Sequence, residues 1–143
     1  MGLSQEVIPK SIYLNYSTLF RQLNFTRTIL DISAIESAEL KSVEFVEDFL
    51  QLRFGTPLLR LYAWPHVLLP DFSVAFGEPE YRNALCSLIG EPVTTAMLEE
   101  GNALTIEFSS GIVLGLSLRE EDVDAPVSGS YSETGDDADA LEF

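Results

Sequence analysis

Residues 93–118 read VTTAMLEEGNALTIEFSSGIVLGLSL, and their pattern decides the fold. Val93–Leu98, Ala103–Phe108 and Ile112–Leu118 are apolar-alternating runs, and the turns between them, Glu99-Glu100-Gly101-Asn102 and Ser109-Ser110-Gly111, each contain glycine. Three such runs with short turns predict an antiparallel β-meander. In the middle run Leu104, Ile106 and Phe108 fall on one face and Thr105, Glu107 and Ser109 on the other. One face should therefore be buried, and the other should meet water or a partner.

Upstream, FLQLRFGTPLLRLY (residues 49–62) overlays ALTIEFSSGIVLGL (residues 103–116), and Val43 matches Val93 after a shorter turn. The pairs Leu50/Leu104, Leu52/Ile106 and Phe54/Phe108 would share the buried role. A duplicated meander and the common needs of any two amphipathic hairpins both account for the match. Between the halves, Glu78 to Ile89 reads as a helix: Pro79 suits its first turn, Tyr81, Leu85, Leu88 and Ile89 recur at helical spacing, and Gly90 suits the cap. Nearer the N-terminus, Ile12, Leu14 and Tyr16 alternate as a strand would, and Leu19–Leu23 and Ile29–Ile35 suggest short helical segments. The expectation is a single α+β domain over residues 1–125. It combines two antiparallel β-meanders of about six strands with a main helix at 78–89 and the short N-terminal helical segments.

The chain has 143 residues, 46% of them hydrophobic, which is enough to bury a substantial core. Its 23 acidic and 8 basic residues give a net charge of −15. Residues 120–143 hold nine acids (Glu120, Glu121, Asp122, Asp124, Glu133, Asp136, Asp137, Asp139 and Glu142) and no basic residue, which leaves −6 on residues 1–119. Residues 126–143 are small, polar and acidic without hydrophobic period, the composition of a disordered tail. Direct binding to nucleic acid is disfavoured, because it draws affinity from Lys and Arg on phosphates. Apolar runs such as Val67–Leu69 are far too short to span a bilayer. One cysteine and no secretory signal point to a cytoplasmic protein.

Catalytic and cofactor patterns are missing from the sequence. Cys86 and His66 are the sole thiol and imidazole, but Cys86 sits beside Leu85 and Leu88 on an apolar helix side, where free cysteine acts as a small hydrophobe. One His and one Cys fall short of a zinc site. Glu120-Glu121-Asp122-Val123-Asp124 lacks the spacing of a calcium loop and reads as a solvated stretch. Neither GxxxxGK[ST] nor GxGxxG occurs, so no cofactor, metal or catalytic residue is assigned and an enzyme is not expected.

Binding is better represented. In Leu58-Leu-Arg60-Leu-Tyr62-Ala-Trp64-Pro-His66, a strand would put Arg60, Tyr62, Trp64 and His66 on one face, and Trp, Tyr and Arg are enriched at interface hot spots. Trp64 is either such an anchor or a cover for a core edge ahead of Pro65. Glu44, Glu47 and Asp48 around the first meander turn, and Glu99, Glu100 and Glu107 of the second, supply acidic surface that would attract a basic partner.

Leu88-Ile-Gly-Glu-Pro-Val93 followed by Ala103-Leu-Thr-Ile-Glu-Phe108-Ser-Ser-Gly111-Ile-Val-Leu resembles small bacterial immunity-type proteins of polymorphic toxin and type VI secretion systems. The resemblance covers about residues 40–120. It implies a protein that binds and neutralises a basic toxin, such as a nuclease, by masking its active site or substrate surface. No site residue carries over from it. Glu44, Glu47, Asp48, Tyr62, Trp64, Glu99, Glu100 and Glu107 are the partner-binding candidates from the residues themselves. The alternative is a non-inhibitory adaptor or chaperone subunit of a secretion or regulatory assembly, which should expose an apolar patch.

Overall fold

In the computed structural model, which describes residues 28–143, the alternation of residues 93–118 becomes a meander within a mainly β protein. The chain passes through β1 (Ile29–Leu30), a 3-10 turn at Ser33–Ile35, β2 (Ser42–Val46), β3 (Phe49–Arg53) and β4 (Leu58–Leu61). Next come β5 (His66–Leu68), β6 (Ser73–Val74), helix α1 (Tyr81–Cys86), β7 (Val93–Glu99), β8 (Ala103–Phe108) and β9 (Val113–Ser117). After a 3-10 turn at Glu120–Asp122 follow β10 (Gly129–Ser132), a 3-10 turn at Asp137–Asp139, and β11 (Leu141–Glu142).

These strands build two antiparallel sheets, one ordered β1-β7-β8-β9-β5-β6 and the other β11-β10-β4-β3-β2. Each expected meander lies in its own sheet. Leu50, Leu52 and Phe54 from one, and Leu104, Ile106 and Phe108 from the other, are all buried and belong to a single core cluster. Leu59, Leu61, Val67, Val74, Val93, Leu98, Leu114, Leu116 and Tyr131 add to the sheet contribution, and Ile32, Ile35, Leu40, Tyr81, Leu85 and Leu88 fill the core from the connections and the helix. The turns take their shape from Gly101 (φ 76°) and Gly111 (φ 91°), a left-handed backbone that glycine adopts without steric cost.

The expected α+β class is overturned: among the described residues two sheets of six and five strands dominate, with one short helix. Of the helical period read over residues 78–89, Tyr81, Leu85 and Leu88 are buried, but Ile89 and Cys86 are exposed, and the helix itself covers only Tyr81–Cys86. Its first residues are held in turns instead: the Ala75 N–H donates to the Glu78 carboxylate at 2.8 Å, and the Tyr81 N–H to the Glu78 carbonyl at 3.1 Å. Beyond Cys86 the Leu88 N–H bonds back three residues to Leu85 and the Ile89 N–H to Cys86, the tighter spacing of a closing turn. Ile29–Ile35 is likewise a short strand and a 3-10 turn rather than a helical segment. The strand expected at Ile12–Tyr16 and the segment Leu19–Leu23 lie outside the described residues.

Residues 126–143 also depart from expectation, because a disordered tail does not form here. β10 pairs with β4 from Gly129 opposite Leu61 to Ser132 opposite Leu58, and β11 pairs with β10. Ser130, Tyr131 and Ser132 are buried. Small polar residues tolerate this burial because neighbours satisfy them: the Ser132 hydroxyl reaches the Asp136 carbonyl at 2.8 Å and the Asp139 carboxylate at 2.6 Å. Phe143 closes the segment, with its N–H donating to the Gly129 carbonyl at 3.0 Å and its ring packed against the core.

Candidate functional site

The outer face of the five-stranded sheet carries one continuous polar row. Register places Glu44, Gln51, Arg60, Ser130 and Glu142 side by side across all five strands. Gln51 donates through Nε2 to Glu44, Arg53 pairs with the other Glu44 oxygen at 3.2 Å, and Arg60 Nε donates to Gln51 Oε1 at 2.9 Å. Arg60 also faces Asp137 at 3.6 Å. Alternation along the strands explains this row, since every residue between the inward-facing leucines must point outward. Glu44 is therefore partly neutralised inside its own sheet, whereas Glu47 and Asp48 sit exposed at the β2–β3 turn.

Tyr62 follows β4 and is 40% exposed, and its ring meets Phe49 edge-on at 5.9 Å; the Arg60 guanidinium lies 5.5 Å from the same Phe49 ring. With Ser130, Asp137, Leu141 and Glu142, Arg60 and Tyr62 line a shallow depression beside the polar row. Trp64 leaves this face. It stacks on Phe76 with centroids 4.2 Å apart and planes 9° from parallel, and on Phe45 at 6.2 Å. Phe76 in turn meets Tyr81 edge-on at 5.7 Å, and the Arg82 guanidinium sits 5.3 Å from the Phe45 ring. Trp64 is thus the middle of an aromatic column that ties β2 to the segment before α1. Beneath it the buried Tyr81 hydroxyl donates to the Pro65 carbonyl at 2.5 Å, and burial raises the Tyr81 pKa well above that of an ordinary phenol.

The second acidic group belongs to the other sheet. Glu99 and Glu100 flank the β7–β8 turn, with Glu99 accepting from Asn102 Nδ2 at 2.8 Å, and Glu107 lies exposed on the outer face of β8, where Thr95 Oγ1 approaches it at 3.5 Å. Because the two sheets turn their inner faces to one core, the Glu44 row and Glu107 point away from each other. One flat interface cannot contain all eight candidate residues.

Residues 133–140, expected as part of a disordered tail, form an acidic loop between β10 and β11. Asp139 accepts from Ser132 and from Thr134, and these hydrogen bonds hold its carboxyl below the usual carboxylate range. The buried Tyr131 hydroxyl has no hydrogen-bond partner among the described residues, and its pKa is pushed up to about 12, first by burial and then by the charges of Glu133, Asp31 and Asp139. The described residues contain no group of three or more side chains able to hold a metal ion, and no helix long and apolar enough to cross a membrane. No protein family, curated protein or solved structure matches the chain.

Proposed function

We propose that this protein is a binding module that captures a basic protein partner, and that its specific role is the immunity-type one of neutralising a basic toxin, such as a nuclease. The observation that carries this reading is the balance of charge on the described residues. Residues 28–143 hold 22 Asp and Glu against 5 Lys and Arg, a net of −17. Three of those five basic residues are committed to pairs with Glu39, Glu44 and Asp137. A surface so charged speeds the capture of a positively charged protein and repels other acidic chains.

Exposed Phe72, Phe76 and Met97 favour the adaptor alternative, which needs apolar contact area. Co-expression with the products of the genes that flank its own separates the two. Under the neutralisation reading one flanking product is lethal alone, becomes harmless with this chain, and forms an equimolar complex that weakens as salt rises. A complex that forms without abolishing any activity would replace that reading with the adaptor. Failure of every flanking product to bind would overturn both.

A further inference from the structure

Four strands form the edges of the two sheets among the described residues, and they differ in a way that singles out one. β1, β6 and β11 are two residues long. β7 extends beyond β1, but its remaining edge is closed: the Ser37 N–H donates to the Val93 carbonyl at 2.8 Å, the Val93 N–H to the Ala38 carbonyl at 2.9 Å, and the Glu36 carboxylate accepts the Ala96 N–H at 3.0 Å. β2, by contrast, runs five residues, Ser42-Val-Glu-Phe-Val46, and pairs along its whole length with β3 alone. No other backbone hydrogen bond of the described residues reaches Ser42–Val46. In an antiparallel edge strand alternate N–H and C=O groups point outward, so β2 presents a row of donors and acceptors that none of the described residues pairs along the backbone. It has no proline or glycine to interrupt pairing, and its Val and Phe residues favour strand geometry.

We propose that the open edge of β2 is a docking edge for an extended basic segment of a partner protein, which joins the five-stranded sheet as an added strand. Charge chooses between this occupant and a second copy of the chain. The edge carries Glu44 and runs into the exposed Glu47 and Asp48, while the adjoining Lys41 is paired with Glu39, so two β2 edges aligned about Glu44 would oppose that acid to its own copy between molecules of net charge −15. The same acids complement Lys and Arg. An added strand with alternating character fits both faces: its apolar side chains continue the rows of Val43 and Phe45, and its basic side chains continue the row that begins at Glu44.

This inference rests on the reading that the partner is basic, and it is tested with defined peptides. The probes are an extended peptide alternating lysine and valine, and the same peptide N-methylated on every second residue so that its strand hydrogen bonds are lost. Binding is followed by amide chemical shifts and hydrogen exchange of the intact protein. The unmethylated peptide is expected to perturb and protect residues 42–46, the methylated one to bind roughly tenfold more weakly or worse, and E47K/D48K to weaken binding roughly tenfold with circular dichroism unchanged. Equal binding of both peptides, or a footprint on residues 120–142, would overturn the docking edge in favour of diffuse charge attraction. A concentration-dependent dimer that protects residues 42–46 without peptide would overturn it in favour of a second copy. Neutralisation of a flanking toxin with its footprint elsewhere would sink this inference alone, whereas peptide docking without any neutralised toxin would sink the functional reading alone.

Discussion

Two tyrosines illustrate how much depends on a single buried atom. Tyr81 donates its hydroxyl to Pro65, while the buried Tyr131 hydroxyl has no partner among the described residues. Tyr81→Phe is therefore expected to cost about 1–2 kcal/mol of unfolding free energy, whereas Tyr131→Phe should be neutral or stabilising by up to about 1 kcal/mol, both read from denaturant midpoints. Equal losses would mean that the Tyr131 hydroxyl is satisfied. Both phenols are held protonated in the folded state, Tyr131 up to about 12, against 10 in an unfolded chain. Their contribution is fully present below pH 10 and is lost as pH climbs above it, so the thermal midpoint should fall between about pH 10 and 12. Gly129 is a second sensitive position. A Cβ there would lie 2.6 Å from both the Arg60 carbonyl oxygen and the Phe143 ring, and Gly129→Ala should destabilise by about 1–3 kcal/mol.

At the level of elements, the closing segment is the firmest test of the fold. Deleting residues 128–143 removes β10 and β11 and turns β4, whose Leu58, Leu59 and Leu61 are all buried, into a sheet edge. A long apolar edge invites self-association, so the shortened chain should lose its cooperative unfolding transition and elute as aggregates. A monomeric shortened chain with an unchanged midpoint would mean that β10 adds nothing. That segment was also the least legible in the sequence. Leu104, Ile106 and Phe108 announce their strand because each is apolar and every second residue is polar. Ser130 and Ser132 announce nothing, since their burial depends on Asp139, Asp136 and the β4 backbone, partners remote in the pattern or set by tertiary pairing. The helix was overextended for a related reason: periodic burial at Tyr81, Leu85 and Leu88 persists through turns, which share the spacing of a helix over so short a span. For the candidate site, acidity and aromatic content were visible in the sequence. The division of those residues between two sheets, and the capture of Trp64 by Phe45 and Phe76, came only from long-range pairing.

Across the whole molecule, net charge acts on stability as well as on partners. With −17 on residues 28–143, mutual repulsion opposes compaction, and added salt screens it. Raising sodium chloride from about 0.05 to 0.5 M should lift the thermal midpoint by a few degrees, on the order of 1 kcal/mol. No change would indicate that repulsion is already balanced within the fold. The salt response of stability and that of partner capture should run in opposite directions, because screening relieves one and weakens the other.

The placement of β10 between β4 and β11 also sets a timetable for biosynthesis. β4 leaves the ribosome well before β10 has been translated, so the nascent chain carries an apolar strand with one flank bare for as long as the five intervening strands β5–β9 take to emerge. During that interval the bare flank of β4 is exposed, and chaperone binding should concentrate there. An arrest of translation between Ser117 and Gly129 would release a species whose second sheet cannot close, and such a product is a natural substrate for proteolytic clearance.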